Sequence, residues 1–342
     1  MLNRKLYPLF WVTLLALLVV VTLASLAVGP AGITIKQTVA IIKDGPTYQM
    51  NATFTNAQHR IIWSLRLPRI LTALVAGIVL AVSGMVYQAL FRNPMADPYV
   101  LGISSGAAFA VALGIYLGLV GGATGVYQVP LAAFLGSAGA TWAIFILSGG
   151  VRRSPTMLLL TGIALNFLLS ALMSLFMYLN RSQLHSIMQW TLGSFSTANW
   201  EKLLIMGSIS LLALLPIGFL NRELDILLLD DASALSVGVS VRTIRLILLG
   251  LSTLATSVTV AFCGIIGFVG LMVPHIMRLI VGPKHKNLFL FSLLGGALMM
   301  VTADTLARVL MGTTELPVGI ITAIGGAPLF IILLVRRKRE TM

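Results

Sequence analysis

The sequence predicts an all-α membrane protein with about ten transmembrane helices, on three observations. Of 342 residues, 58% are hydrophobic and only 10% charged, whereas a soluble domain carries about 25% charged residues. The mean hydropathy is +0.99, and a globule that apolar cannot cover its own surface in water. The apolar residues also fall in long unbroken runs such as Leu9 to Val28. A transmembrane barrel would instead show segments of about ten residues with polar and apolar positions alternating. In hydrocarbon the backbone must satisfy its own hydrogen bonds, so each run reads as a helix.

The first run follows Arg4 and Lys5, and Ala24 to Ala27 faintly resembles a signal-peptidase site. A signal-peptide apolar core is about 7–15 residues, whereas this run is long enough to cross about 30 Å of hydrocarbon. It is therefore taken as the first span, at 7–28. The others fall at 61–90, 98–119, 127–148, 156–180, 201–220, 244–263, 265–281, 288–311 and 317–335. The second is long enough to tilt or extend beyond the bilayer. The eighth is short and rich in Gly and Pro. Together they form one transmembrane domain over 1–342. Cys263 is the single cysteine, so no intrachain disulfide forms, and a lone thiol supports no metal cluster.

The formal net charge of +13 would suggest nucleic acid in a soluble chain. Here the basic residues lie between and beyond the runs, as topology signals do. Arg4, Lys5, Arg92, Arg152, Arg153, Arg222, Arg242, Arg245, Lys284, Lys286 and Arg336 to Arg339 collect on one side. The opposite loops hold fewer. The positive-inside rule makes the first side cytoplasmic and puts both termini there. Trp11, Trp63, Trp190 and Trp200 fall near span ends, consistent with an interfacial belt.

Two pieces outside the spans read as structured. Leu184 to Trp200 is a short amphipathic segment with a Gly193-Ser194 turn. The longest cytoplasmic loop, 221–242, contains a short helix that Asp230 or Asp231 can cap, running through Leu235 and ending at Gly238. An offset of 180 residues superposes Ala81, Gly84 and Pro94 on Ala261, Gly264 and Pro274, a pattern consistent with an inverted repeat.

No stretch fits the phosphate loop G-x-x-x-x-G-K-[ST], so any ATP coupling must come from another polypeptide. Ionisable residues within spans are few. Asp304 and Arg308 are spaced i,i+4 and read as an ion pair on one helix face. The scarcity of membrane acids argues against a proton- or sodium-driven carrier. His275, beside Pro274, reads as a tether for a broken helix end rather than as a metal or haem ligand, because metal sites need several converging ligands. His59, His185 and His285 fall in loops without ligand spacing. Ala73-x-x-x-Gly77-x-x-x-Ala81 and Gly114-x-x-x-Gly118 read as helix-packing motifs. Gly102, Gly106, Gly264, Gly267, Gly270, Gly325 and Gly326 cluster near span ends, where helices can bend. No set of residues suggests catalysis.

Several motifs together resemble the FecCD-type permease family. They are Arg66-Leu67-Pro68-Arg69, the run Gln88 to Pro98 (QALFRNPMADP), Leu101 to Gly106 (LGISSG) and Trp190 to Ser194 (WTLGS). They continue through Gly264 to His275 (GIIGFVGLMVPH), Ala303-Asp304 with Arg308, Glu315 to Gly319 (ELPVG) and Gly325 to Pro328 (GGAP). The order is the family's, and the likeness runs from about residue 60 to 335.

The resemblance implies a type II ABC importer permease with no cofactor of its own. It implies two cytoplasmic ATPase subunits, which bind ATP and Mg, an extracytoplasmic solute-binding protein, and a second permease subunit forming a homodimer or related pair. It places the chain in a bacterial cell (inner) membrane. The solutes it implies are ferric siderophores first, then haem or cobalamin, and less often molybdate-type oxyanions. In cobalamin-importing members, arginines matching Arg66, Arg69 and Arg308 face glutamates of the binding protein. Asn93 and Met95 match the cytoplasmic gate, with Met95 where the family has Leu. Ser154 and Thr156 match the opposing gate region. Asp231 to Gly238, including Ala234 and Leu235, matches the helix that couples to the ATPase. An ion-coupled secondary transporter is the competing class, distinguished by activity without an ATPase.

Overall fold

The computed structural model describes residues 3–29, 31–48, 53–120, 127–150, 155–229, 234, 236, 238, 240–311 and 314–340. Among these residues every regular element is helical. In chain order the helices are α1 (Tyr7–Ala27), α2 (Ile35–Asp44), α3 (Asn56–Leu90), α4 (Ile103–Tyr116), α5 (Gln128–Leu147), α6 (Pro155–Leu179) and α7 (Leu184–Thr191). They continue as α8 (Trp200–Phe219), α9 (Asn221–Leu227), α10 (Val241–Cys263), α11 (Val269–Val281), α12 (His285–Val309) and α13 (Val318–Glu340).

Each of the ten expected spans coincides with a helix. Seven are long and apolar enough to cross a bilayer, and three apolar helices are shorter: α4, α11 and the apolar part of α13. Their shortness has local causes. A 3-10 turn at Pro98–Leu101, capped by the Asp97 carboxylate, takes up the start of the third span. The chain from Gly264 to Phe268 is non-helical, which leaves α11 only 13 residues. At ~1.5 Å per residue that is about 20 Å, well short of a bilayer core.

The long α3 stands at the centre. In its most apolar window 78% of residues are buried, and α12, α11, α10 and α8 pack around it. Helices in lipid gain no hydrophobic drive for association and rely on close backbone approach. Ala73, Gly77 and Ala81 supply it on α3, as expected. A Cβ on Gly77 would collide with the Gly296 carbonyl of α12, and the reverse also holds. One turn below Ala81, Gly84 lies against the Gly270 backbone of α11. The second expected motif is placed differently. Gly118 lies beyond α4 with φ +70°, and the close contact of α4 is made by Gly106 against Gly136 of α5. The two glycines of the suggested repeat also differ. Gly84 is helical, whereas Gly264 has φ +73° and terminates α10.

Helix α2 falls in a stretch read from sequence as a loop. Two capping boxes create a small lobe there: Thr34 with Gln37 starts α2, and Thr55 with Gln58 starts α3. Ile33, Ile41, Phe54 and Ile62 form its core. His59 is buried in the same lobe and bonds the Gly45 carbonyl at 2.9 Å. The T-x-x-Q spacing at both sites is the local sequence signal for these helix starts.

Candidate functional site

Three polar stations interrupt the apolar bundle: one at the end where α1 stops and α13 starts, one midway, and one at the opposite end, where α3 stops and α12 starts.

The first station contains the three arginines expected to dock a partner. Residues 61–66 of α3 form a π-helical stretch, a departure that recurs at functional sites. Arg66 stands at its end and donates to the carbonyls of Leu26 and Ala27 at 2.7 and 3.0 Å. Arg308 donates to the carbonyls of Ser25 at 3.1 Å and Val28 at 3.3 Å. The last carbonyls of α1 have no partners within the helix, and the two guanidinium groups satisfy them. Gly29 (φ +150°) lies against the Arg66 guanidinium, which a Cβ there would push aside.

Asp304 is 1% exposed and lies between two cations, Arg69 at 2.9 Å and Arg308 at 3.2 Å. The expected i,i+4 pair is therefore present, with a third member 235 residues away. Arg69 also reaches Glu315 at 2.7 Å, and Glu315 is 48% exposed. Arg66 and Arg308 are thus turned inward, and the Arg69–Glu315 pair is the part of the network that meets the surroundings.

The middle station forms around two helix breaks. The turn at Gly193 (φ +71°) stitches three segments together. Ser194 N donates to the Cys263 carbonyl at 2.8 Å, and Val318 N donates to the Gly193 carbonyl at 3.0 Å. A Cβ on Gly264 would meet the Trp190 carbonyl. Phe268 has φ +69°, a strained conformation for a bulky residue, and its side chain packs onto Gly326 of α13.

The freed backbone between α10 and α11 is satisfied by Tyr99. Its hydroxyl donates to the Ile266 carbonyl at 2.9 Å and accepts from Ile266 N at 3.2 Å. Asn166 of α6 donates to the carbonyls of Val100 and Tyr99 at 3.0 and 3.3 Å and accepts from Ser105 Oγ. One turn earlier, Gly162 lets α6 lie directly on the Val100 carbonyl. Beside these contacts opens a cavity of about 440 Å³. Asp97, Ser104, Ser105, Asn166, Ser170 and Thr191 bring polar groups into a lining that is otherwise apolar, with Val100, Ala108, Met173 and Ile265 beside them. A mixed lining of this kind can meet both the apolar and the hydrogen-bonding parts of a solute.

The third station lies at the opposite end. Asp225 Oδ1 accepts from His285 N at 3.0 Å and pairs with His285 Nδ1 at 2.7 Å. Lys284, the residue before α12, makes no side-chain cap, so Asp225 of α9 caps α12 in its place. Arg92, with φ +48°, donates from Nε to the Leu227 carbonyl at 2.8 Å. Helix α9 is thereby fastened to both α3 and α12.

Of the gate residues, Asn93 accepts from Met95 N at 2.9 Å, Met95 is exposed, and Thr156 is exposed at the start of α6. Ser154, Asp231 and Leu235 lie outside the described residues. Ala234 is helical and fully buried, and Gly238 has φ +81°, the helix-stop conformation expected of it. His275 is not at a helix break. It lies within α11 with its ring edge-on to Phe330. Among the described residues, no three of His, Cys, Asp and Glu converge as metal ligands.

Sequence reasoning missed Asn166, which it passed over inside an apolar span. It also missed Asp225 and His285, placed in loops. A polar side chain within a span was a usable signal for the first. Nothing local announced the pairing of the other two.

Residues 17–336 match the FecCD transport family, nearly the whole chain. The chain belongs to the FecCD transport family. It is 41% identical over 293 residues to the hemin transport system permease protein HmuU of Yersinia pestis, covering 85% of this chain and 87% of that one. It is 37% identical over 339 residues to the molybdate import system permease protein MolB of Haemophilus influenzae, covering 98% of each. A solved structure titled as an inward-facing conformation of a putative metal-chelate type ABC transporter superposes with a TM-score of 0.83 at 35% identity, covering 96% of this chain and 99% of that one. This FecCD-family chain is therefore a multi-pass membrane protein and the permease subunit of an ABC importer. The comparisons give no support to an ion-coupled carrier.

Proposed function

We propose that this FecCD-family permease carries a ferric siderophore-type iron chelate into the cytoplasm, with haem and cobalamin as the competing solutes. The observation that carries the reading is the cavity between α4, α6 and α7, where a cluster of polar groups breaks an otherwise apolar lining. Its wall offers hydroxyls, an amide and one carboxylate. Such a wall can exchange hydrogen bonds with an oxygen-rich chelate without trapping it. The similarity to a hemin permease favours iron cargo, while the molybdate relative keeps smaller solutes in the test.

The working unit is two permease subunits, two cytoplasmic ATPases carrying ATP and Mg, and an extracytoplasmic binding protein. Helix α6 suits the subunit interface: only 11% of its most apolar window is buried and Phe167 is 75% exposed. The distribution of basic loops favours an orientation with both termini and the Asp225–His285 station on the cytoplasmic side of a bacterial cell membrane. The arginine station then forms the outer rim. There Arg69 meets the binding protein, whose carboxylates compete with Glu315, while Arg66 and Arg308 brace the rim from beneath. Asn93, Met95, Ser154 and Thr156 close the cytoplasmic side. The segment containing Asp231, Ala234, Leu235 and Gly238 receives the ATPase stroke, and the pathway alternates between its two openings.

The test is ATP-dependent uptake in proteoliposomes holding the permease, its ATPase and its binding protein, with ferric siderophores, haem, cobalamin and molybdate side by side. Uptake of a ferric siderophore that stops without the ATPase supports the reading. Uptake of another solute alone replaces the cargo, and ATPase-independent uptake removes the mechanism.

Within that assay, Asn166→Leu is expected to lower uptake about tenfold, because two part-buried carbonyls lose their donor, at about 1 kcal/mol each. Binding-protein docking, measured separately by surface plasmon resonance, should be unchanged. Full uptake by the variant would remove Asn166 from the pathway.

A further inference from the structure

The geometry points to an anionic-phospholipid site on the outer flank of α5 and α10, separate from the transport pathway. A groove of about 410 Å³ runs between these two helices. Its lining is mostly apolar, with Phe134, Trp142 and Phe145 as the largest side chains and Leu246 and Leu254 among the others. Trp142 is 68% exposed, so the groove opens to the membrane rather than into the bundle.

On α10 the groove runs from Leu246 to Ser257. Eleven residues at ~1.5 Å rise cover about 17 Å, close to half of a ~30 Å hydrocarbon core. The groove is therefore one leaflet deep and has the length of a single acyl chain. Arg242 is exposed one turn before Leu246, on the same face of α10. The residue spacing of four carries the apolar stripe directly into the guanidinium.

A lipid whose acyl chain lies in the groove thus has its phosphate at the level of Arg242, where a guanidinium forms paired hydrogen bonds with phosphate oxygens. With the orientation proposed above, this is the cytoplasmic leaflet, where anionic lipids meet juxtamembrane basic residues. A second protein helix would also find apolar contact here. The exposed Arg242 in line with the stripe favours a lipid, because it stands where the phosphate falls when an acyl chain fills the groove.

Gly250 makes the groove testable without damaging the core. It lines the groove, and a Cβ there would meet nothing within 4 Å. Gly250→Leu fills the space with a better helix former. The full chain would be purified in detergent and supplied with dioleoyl phosphatidylglycerol or dioleoyl phosphatidylcholine. Lipid retained after gel filtration would be counted by native mass spectrometry. Wild type is expected to retain the anionic lipid about fivefold better than the zwitterionic one, the preference one basic residue provides. Arg242→Gln should abolish that preference while still retaining lipid. Gly250→Leu should lose the retained lipid with no fall in melting temperature. Equal retention of both lipids by wild type, or retention unaffected by either substitution, would overturn the proposal. A change of oligomeric state on Gly250→Leu would also overturn it and assign the groove to a second protein.

Discussion

Replacing Asp304 with alanine is expected to destabilise the protein by about 3–5 kcal/mol, the usual result of stripping the partner from buried charge. Asp304 is the anion shared by Arg69 and Arg308, and Arg308 is itself buried. Without it two guanidiniums face each other in a region that water scarcely reaches. Arg308 would then withdraw from Ser25 and Val28, and the end of α1 would lose half of its cap. Unfolding of the purified permease in mixed micelles, followed by tryptophan fluorescence against denaturant, measures the change. The double substitution Asp304→Ala with Arg308→Met should recover part of the loss, since it removes one stranded charge along with its partner. A single variant as stable as wild type would mean that the two arginines find water or lipid phosphate instead, and that the network is not structural.

The second large effect is expected on coupling rather than on stability. Asp225→Ala should leave ATP hydrolysis by the assembled importer within about twofold of wild type and lower uptake per ATP at least tenfold. The loss of a helix cap itself should amount to only about 1–2 kcal/mol. The argument rests on where α12 is held. Asp225 grips its first residue, while Asp304 and Arg308 tie its other end to α3 and α1. Between these grips the helix has 25 residues, about 37 Å of continuous hydrogen-bonded rod. Its backbone contact at Gly77 and Gly296 leaves no room to slide against α3. A stroke delivered to the 221–242 segment would then reach the outer rim without much loss along the way. Asp225→Asn retains an acceptor for His285 N and should recover most of the uptake. Parallel loss of hydrolysis and uptake would show a damaged assembly, and unchanged uptake would show that the stroke takes another route.

Legibility followed the range of the interaction. The ten apolar helices could be read directly, because a run of about twenty apolar residues has few other destinations. The packing role of Ala73, Gly77 and Ala81 was equally plain, since it depends on side-chain size at a fixed spacing. Asp304 with Arg308 was legible for the same reason. Arg69 was named as a candidate, but its partner was not, because 235 residues of chain separate it from Asp304.

The sequence by itself determined the class of molecule, its spans and the family motifs, because hydropathy, i,i+4 spacing and short motifs are local properties. Only the tertiary structure decided what the polar residues do. It bonded Arg66 and Arg308 to the end of α1, contacts that the resemblance, which has these arginines facing a binding protein, did not announce. It gave Asn166 the Pro98–Leu101 turn to hold, and it made Asp225 the cap of a helix starting 60 residues later. The physical reason is the same in each case. Within a membrane bundle a polar group must find a partner wherever the chain's three-dimensional path provides one, and that path is not encoded at the polar residue itself.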